Sequence, residues 1–201
     1  MTGLDTLRAS ADADAEARLR SALDQLRAFH ATEALPHGAG LEALIAGAVL
    51  GTTRKTWILP GRRERGAAIV RGADRERLEA TRPYRVLPPG DEPAQRALQA
   101  VGMALAGDPV LVFLGTGSMA YGAALEALSL AVLQKAPVCF VVSWYTDEGP
   151  FARQLAADPV VVAAALGLDT VRVDGTDATA VMAAVAGPLP RLIQADLRGK
   201  S

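Results

Sequence analysis

The residues best suited to chemistry form a short turn, Gly115-Thr116-Gly117-Ser118, between an apolar run and a helix-forming segment. Small residues there let the backbone approach a ligand closely, and the helix start that follows presents unpaired N–H groups to an anion. In parallel α/β sheets, turns at the carboxyl ends of strands are where ligands bind. The same tetrapeptide also suits a tight strand-to-helix turn that binds nothing, so its surroundings must decide. Arg62, Arg63 and Arg65 form a second cluster, with guanidinium groups able to grip phosphate through paired hydrogen bonds. Glu64, Asp74 and Glu76 alternate with them, as on a solvated helix start. Trp144 and Tyr145 close another apolar run and could stack on a flat ring or plug a cleft. Glu42 and Glu126, isolated in apolar or alanine-rich segments, read as buried structural or interface groups. His37, between Pro36 and Gly38, reads as a loop residue, and His30 ends a helical segment. Asp174 and Asp177 flank Gly175 and read as a turn and a helix cap. A phosphate-binding G-x-x-x-x-G-K-S/T loop, a G-x-S-x-G elbow and a Cys/His metal cluster are all missing. The Gly115 turn also lacks the third glycine and acidic strand end of a dinucleotide site.

These groups need elements to position them. Pro109–Leu114 and Pro137–Tyr145 are continuous apolar runs, as expected of strands covered on both faces. Shorter strands are predicted at 56–59, 170–173 and 191–197. Helical spacing predicts helices at 14–30, 41–50, 94–106, 120–135, 158–166 and 177–185. A charged helix is predicted over 62–82, a loop over the proline-rich 83–93, and another loop over 32–40. Strands alternating with helices imply an α/β fold, a parallel sheet with helices on both faces and right-handed crossovers. The organisation expected is a flexible N-terminus over 1–13 and a single domain over 14–201.

Composition narrows the function classes. Of 201 residues, 50% are hydrophobic, enough for a sizeable core. The 21 basic and 22 acidic residues nearly cancel, which favours neither nucleic acid nor an anionic membrane. Cys139 is the only cysteine and lies in an apolar run, so it reads as a buried, inert thiol. With neither a signal peptide nor an apolar stretch of about 18 residues, a reducing cytoplasm is the expected setting.

The stretch from Gly115 to Tyr145, GTGSMAYGAALEALSLAVLQKAPVCFVVSWY, resembles the cofactor-diphosphate segment of the α subunits of thiamine-diphosphate-dependent 2-oxo-acid dehydrogenases. That family shows a Gly-Asp-Gly turn, a small-residue helix with a Gly and then a Glu-Ala pair, a Lys-x-Pro-Val step and a strand ending in Asn-Asn. Gly122, Glu126–Ala127, Lys135 and Pro137–Val138 match in order. Leu168–Asp177 resembles the family's strand ending in Val-Asp-Gly-x-Asp, and Pro190–Arg198 its last strand in this domain. Gly40-Leu41-Glu42-Ala43 resembles Gly-Gln-Glu-Ala, and Pro60–Gly66 resembles the Tyr-Arg-x-His-Gly loop. The resemblance spans about residues 38–198 and implies the thiamine-diphosphate-binding fold.

The departures fall on the metal positions. In the family, the Asp of Gly-Asp-Gly and an Asn of Asn-Asn hold magnesium, which bridges the cofactor's diphosphate. Magnesium takes hard oxygen ligands; here the positions are Thr116 and Trp144–Tyr145. Tyr and His of the arginine loop become Arg62 and Arg65, leaving Arg63 at the phosphate-contacting position. The family's long histidine-bearing loop shrinks to Pro83–Pro93. The resemblance therefore assigns cofactor contacts to Arg63, Gly115, Thr116, Gly117, Ser118, Trp144 and Tyr145, but no catalytic residue and no metal ligand. It implies that thiamine diphosphate is held weakly or not at all, and it puts magnesium in doubt. The expected function is a degenerate α-like subunit, structural or regulatory beside a β-like subunit in a hetero-oligomer. An active α subunit whose arginines replace the metal ligands is one alternative. A domain reused for another small ligand is the other.

Overall fold

Every side chain from Val110 to Leu114 and from Val138 to Tyr145 is buried, because each run forms an inner strand of one parallel sheet. The protein is described from a computed structural model covering residues 3–33, 39–78, 80–90, 92–145 and 155–198. Its strands are β1 (Trp57–Leu59), β2 (Val110–Gly115), β3 (Val138–Tyr145), β4 (Asp169–Asp174) and β5 (Arg191–Leu197). They lie in the order β1-β2-β3-β5-β4, all parallel. Val110 pairs with Val138 and Gly115 with Ser143, which makes β2 and β3 neighbours as predicted.

Side chains alternate across the sheet with a period of two. Leu111, Phe113, Cys139, Val141 and Ile193 enter one core. Val110, Val112, Leu114, Phe140 and Val142 enter the other. The first core is covered by α1 (Gly3–His30), α2 (Leu41–Leu50), α3 (Ala67–Val70) and α7 (Ala178–Val185). The second is covered by α4 (Pro93–Leu105), α5 (Gly122–Gln134) and α6 (Pro159–Ala165). Right-handed crossovers account for this division. The steps β2-α5-β3 and β3-α6-β4 advance across the sheet with helices on one face. The step β4-α7-β5 turns back, so its helix falls on the other.

Chain chemistry sets the element ends. Asp177 caps α7, accepting from the N–H groups of Thr179 and Ala180 at 2.9 and 3.0 Å. Asp174 accepts from the Thr176 amide and hydroxyl, forming the expected turn. Helix α1 begins at Gly3, well before residue 14. Within α5, Ala124, Ala127, Leu128 and Ala131 recur at helical spacing and face inward. Much of the small-residue stripe is thus spent inside the chain. Glu126 points to solvent rather than being buried as expected, because it lies off that stripe.

The predicted charged helix over 62–82 does not form. After α3 the chain turns at Gly72, whose φ of +96° suits only glycine well, and the Ala73 amide reaches back to the Ala68 carbonyl. Two short 3-10 turns follow, Arg75–Arg77 and Arg82–Tyr84. Arg71 turns inward rather than outward. It donates to Thr52 Oγ1 at 2.7 Å and the Thr53 carbonyl at 2.9 Å, and burial lowers its pKa to about 10. Cys139 is buried, and desolvation pushes its thiol up to about 12, consistent with the inert thiol expected. Among the described residues no helix is long and apolar enough to cross a membrane.

Candidate functional site

Because all five strands are parallel, their carboxyl ends share one edge of the sheet, where ligands of such folds bind. There the loop after β1 and the turn after β2 meet the end of β3. Together they line a cleft of about 350 Å³. Arg63, Gly115, Thr116, Gly117, Ser118 and Tyr145 all border it, with Arg62, Gly61, Glu64 and Phe113. Six of the seven residues singled out in the sequence are therefore brought together.

Trp144 is not among them. β3 runs on to Tyr145, so adjacent side chains point to opposite faces. Tyr145 enters the core on the cleft side, while Trp144 enters the core beneath α4 and α5. Arg63 lies over the Tyr145 ring, 5.4 Å from its centre, a cation–π distance. Arg65 turns away from the cleft, pairing with Glu33 and covering Phe29. Glu42 bonds His30 Nδ1 at 2.8 Å and ties α2 to α1. His37 falls outside the described residues.

Two residues that sequence reasoning passed over form a buried polar pair at the cleft: Glu64 lines its floor and Ser143 lies behind Glu64. Ser143 Oγ donates to Glu64 Oε1 at 3.0 Å, and both are buried. The sequence did carry a signal: Ser143 is the one small polar residue in an apolar run, and Glu64 the one acid in an arginine loop. Burial raises the Glu64 pKa above the ordinary carboxyl value, opposed by the Ser143 hydroxyl, main-chain hydrogen bonds of Glu64 and Gly61, and the Arg63 charge. The stability consequence has a definite sign. A carboxyl with a raised folded pKa is favourable below its unfolded value and loses that contribution as pH rises through the folded one. Chemical denaturation between about pH 4 and about pH 8 should show Glu64→Gln gaining on the wild type as pH rises. A stability difference, variant minus wild type, that stays constant or falls as pH rises would mean that Glu64 is not desolvated.

Thr116 is spent on structure. Its hydroxyl donates to the Ser143 carbonyl and accepts from the Tyr145 amide, both at 3.1 Å. The β2 turn is thereby fastened to the end of β3. A larger cleft at the ends of β4 and β5, about 720 Å³, is lined by Arg172, Asp174, Asp196 and Arg198. Its charges are largely spent on one another: Arg172 bonds Asp158 at 2.8 Å and Asp196 at 2.6 Å.

The model of the family described as "Dehydrogenase E1 component" matches residues 94–187, which run from α4 through α7 and include the turn and β3. Two curated relatives, from two strains of Mycobacterium tuberculosis, are named 3-methyl-2-oxobutanoate dehydrogenase subunit alpha. Each is 31% identical over 186 residues, covering 78% of this chain and 50% of the relative. The chain is a 2-oxo-acid dehydrogenase α-subunit-like protein. It spans about half the length of the curated relatives it matches. Its parallel five-stranded sheet with helices on both faces is consistent with the fold of the E1 α-type thiamine-diphosphate-binding domain.

The E1 family depends on thiamine diphosphate, so the cleft can be tested against that cofactor. Its donor set does not fit magnesium. The Thr116 hydroxyl is neutral and already makes two hydrogen bonds. The Trp144 indole lies on the opposite face of the sheet. The Tyr145 ring is packed in the core, and the Glu64 carboxyl is held by Ser143. Among the described residues, no group of three or more His, Cys, Asp or Glu could hold a metal ion.

Proposed function

We propose that this chain serves as the α-type member of a 2-oxo-acid dehydrogenase or decarboxylase assembly with its magnesium–diphosphate site dismantled. Its role there is structural or regulatory, beside a β-like subunit in a reducing cytoplasm. The observation that carries this reading is the double hydrogen bond of Thr116. The side chain at the metal-ligand position has been recruited to join β2 to β3, and no carboxylate replaces it. The catalytic role of an α subunit, presenting a metal-bridged diphosphate, then has no side chains to perform it. What survives is the scaffold: a parallel sheet with both faces covered and the α5 segment of the family.

A partner subunit would be expected to cover α5, where two large apolar side chains stand in water near its ends. Tyr121 is 61% exposed and Leu133 is 74% exposed, at the two ends of the helix. Co-expression with its co-encoded β-like chain should yield a hetero-oligomer, read by light scattering as a mass well above either chain. Replacing Tyr121 and Leu133 with Ser together should shift it toward the separate chains. A monomer mass, alone and with every co-encoded protein, would overturn the subunit assignment.

A further inference from the structure

The floor of the cleft is built from hydrogen-bond donors, yet the group that takes them is the chain's own. Glu64 is 5% exposed and lines the cleft with Gly61, Thr116 and Ser118. One carboxyl oxygen accepts from Ser143 Oγ at 3.0 Å. The other folds over Gly61 so closely that a Cβ there would stand 2.4 Å from it. Glycine at this position is what lets the carboxyl lie down on the backbone. Main-chain groups of Gly61 and Glu64 add hydrogen bonds to the same carboxyl. A phosphate group entering the cleft would need donors of this kind.

We propose that Glu64 is an internal occupant of the cleft, a specificity-determining residue whose carboxyl holds the donors that a phosphate-bearing ligand would use. The inference rests on the reading that this cleft is the altered diphosphate site, and it adds what now fills it. Two parts of the geometry make the occupation firm. Gly61 and Glu64 belong to one short loop, so the carboxyl has little distance to travel. Ser143 belongs to an inner strand bonded on both sides, so its backbone holds the hydroxyl beneath Glu64. Arg62 and Arg63 border the same space and would meet an anion at its mouth, but the floor below them stays taken. The cleft therefore has two arginines at its rim above a polar floor that is already satisfied.

Inorganic pyrophosphate, titrated calorimetrically without metal into the full chain, tests this directly. The wild type should show weak binding. Glu64→Ala, which empties the floor, should bind at least ten-fold more tightly, whereas Glu64→Gln, whose amide oxygen can still accept from Ser143, should gain less. Adding Ser143→Ala to Glu64→Ala should remove most of the gain, since the released hydroxyl is then absent. Far-UV circular dichroism on each variant establishes that it is folded, and Glu64→Ser decides if Glu64→Ala is not. No gain in a folded Glu64→Ala or Glu64→Ser would overturn the proposal, while leaving the weak-cofactor reading to its own test with magnesium. Micromolar pyrophosphate binding by the wild type would overturn it as well.

Discussion

Titrated with thiamine diphosphate and magnesium, the chain alone should give no saturable binding below about millimolar cofactor. Truncating one partner of a close charged contact typically costs about 2–5 kcal/mol. Two such contacts are altered, at Thr116 and at Tyr145, so the loss is at least about 4 kcal/mol, or about a thousand-fold. A site of micromolar affinity would fall to the millimolar range. The turn and Arg63 recover a part of this through backbone donors and positive charge. Isothermal calorimetry on the chain alone, and on the chain with its partner, makes the measurement. Micromolar binding by the chain alone that vanishes with a chelator would end the degenerate-site reading. Thr116→Asp with Tyr145→Asn should recover little by itself. Aspartate at 116 cannot donate to the Ser143 carbonyl, and it adds a second carboxyl to the surroundings of Ser143, which already holds Glu64. Adding Glu64→Gln to that pair should therefore give the tighter binder of the two.

The largest stability effect is expected at Gly47. It lies mid-helix in α2, where α2 presses on α7. A Cβ there would meet the Ala178 carbonyl oxygen at 2.4 Å and Val181 Cβ at 2.9 Å. The oxygen belongs to the backbone and cannot rotate aside, so the two helices would have to part. Overpacking of this kind costs about 1–3 kcal/mol and occasionally more. Gly47→Leu should reach about 3 kcal/mol or beyond, since its branch adds to a collision that already begins at Cβ. Even Gly47→Ala should destabilise, despite alanine's advantage of about 1 kcal/mol within a helix. Gly102, in α4, supplies the contrast: a Cβ there meets nothing within 4 Å. Gly102→Ala should therefore stabilise by about 0.5–1 kcal/mol. Thermal melts of the three variants decide the matter. Equal responses at positions 47 and 102 would show that α2 and α7 do not pack as described.

Most of the architecture was legible because the strands are apolar throughout. An uninterrupted run such as VLVFL has no polar face to offer solvent, so a covered parallel sheet was the consistent solution. The helix at 41–50 was legible for a similar reason. The charged stretch 62–82 misled because its residue types permit a helix while Gly72 and the inward turn of Arg71 stop one. Arg71 satisfies carbonyl and hydroxyl groups of the Thr52–Thr56 loop, a tertiary contact invisible to local pattern. The site followed the same division. Its loop and turn could be found by type and order, but the faces of Trp144 and Tyr145 depend on where β3 ends. Glu64 was read as one charge among several because alternating signs suggest a solvated surface. Only the fold places that carboxyl beneath the arginines and against Ser143.

The opposed orientations of Trp144 and Tyr145 separate the pressures on two adjacent codons. Trp144 answers to its fit beneath α4 and α5, where volume and shape decide which replacements survive. Tyr145 answers both to packing on the cleft side and to whatever enters the cleft beside Arg63. In a library randomised at both positions and sorted first for folding, then for ligand capture, the folding step should restrict residue 144 by size. The capture step should then enrich only residue 145, and the identities recovered at the two positions should vary independently of one another.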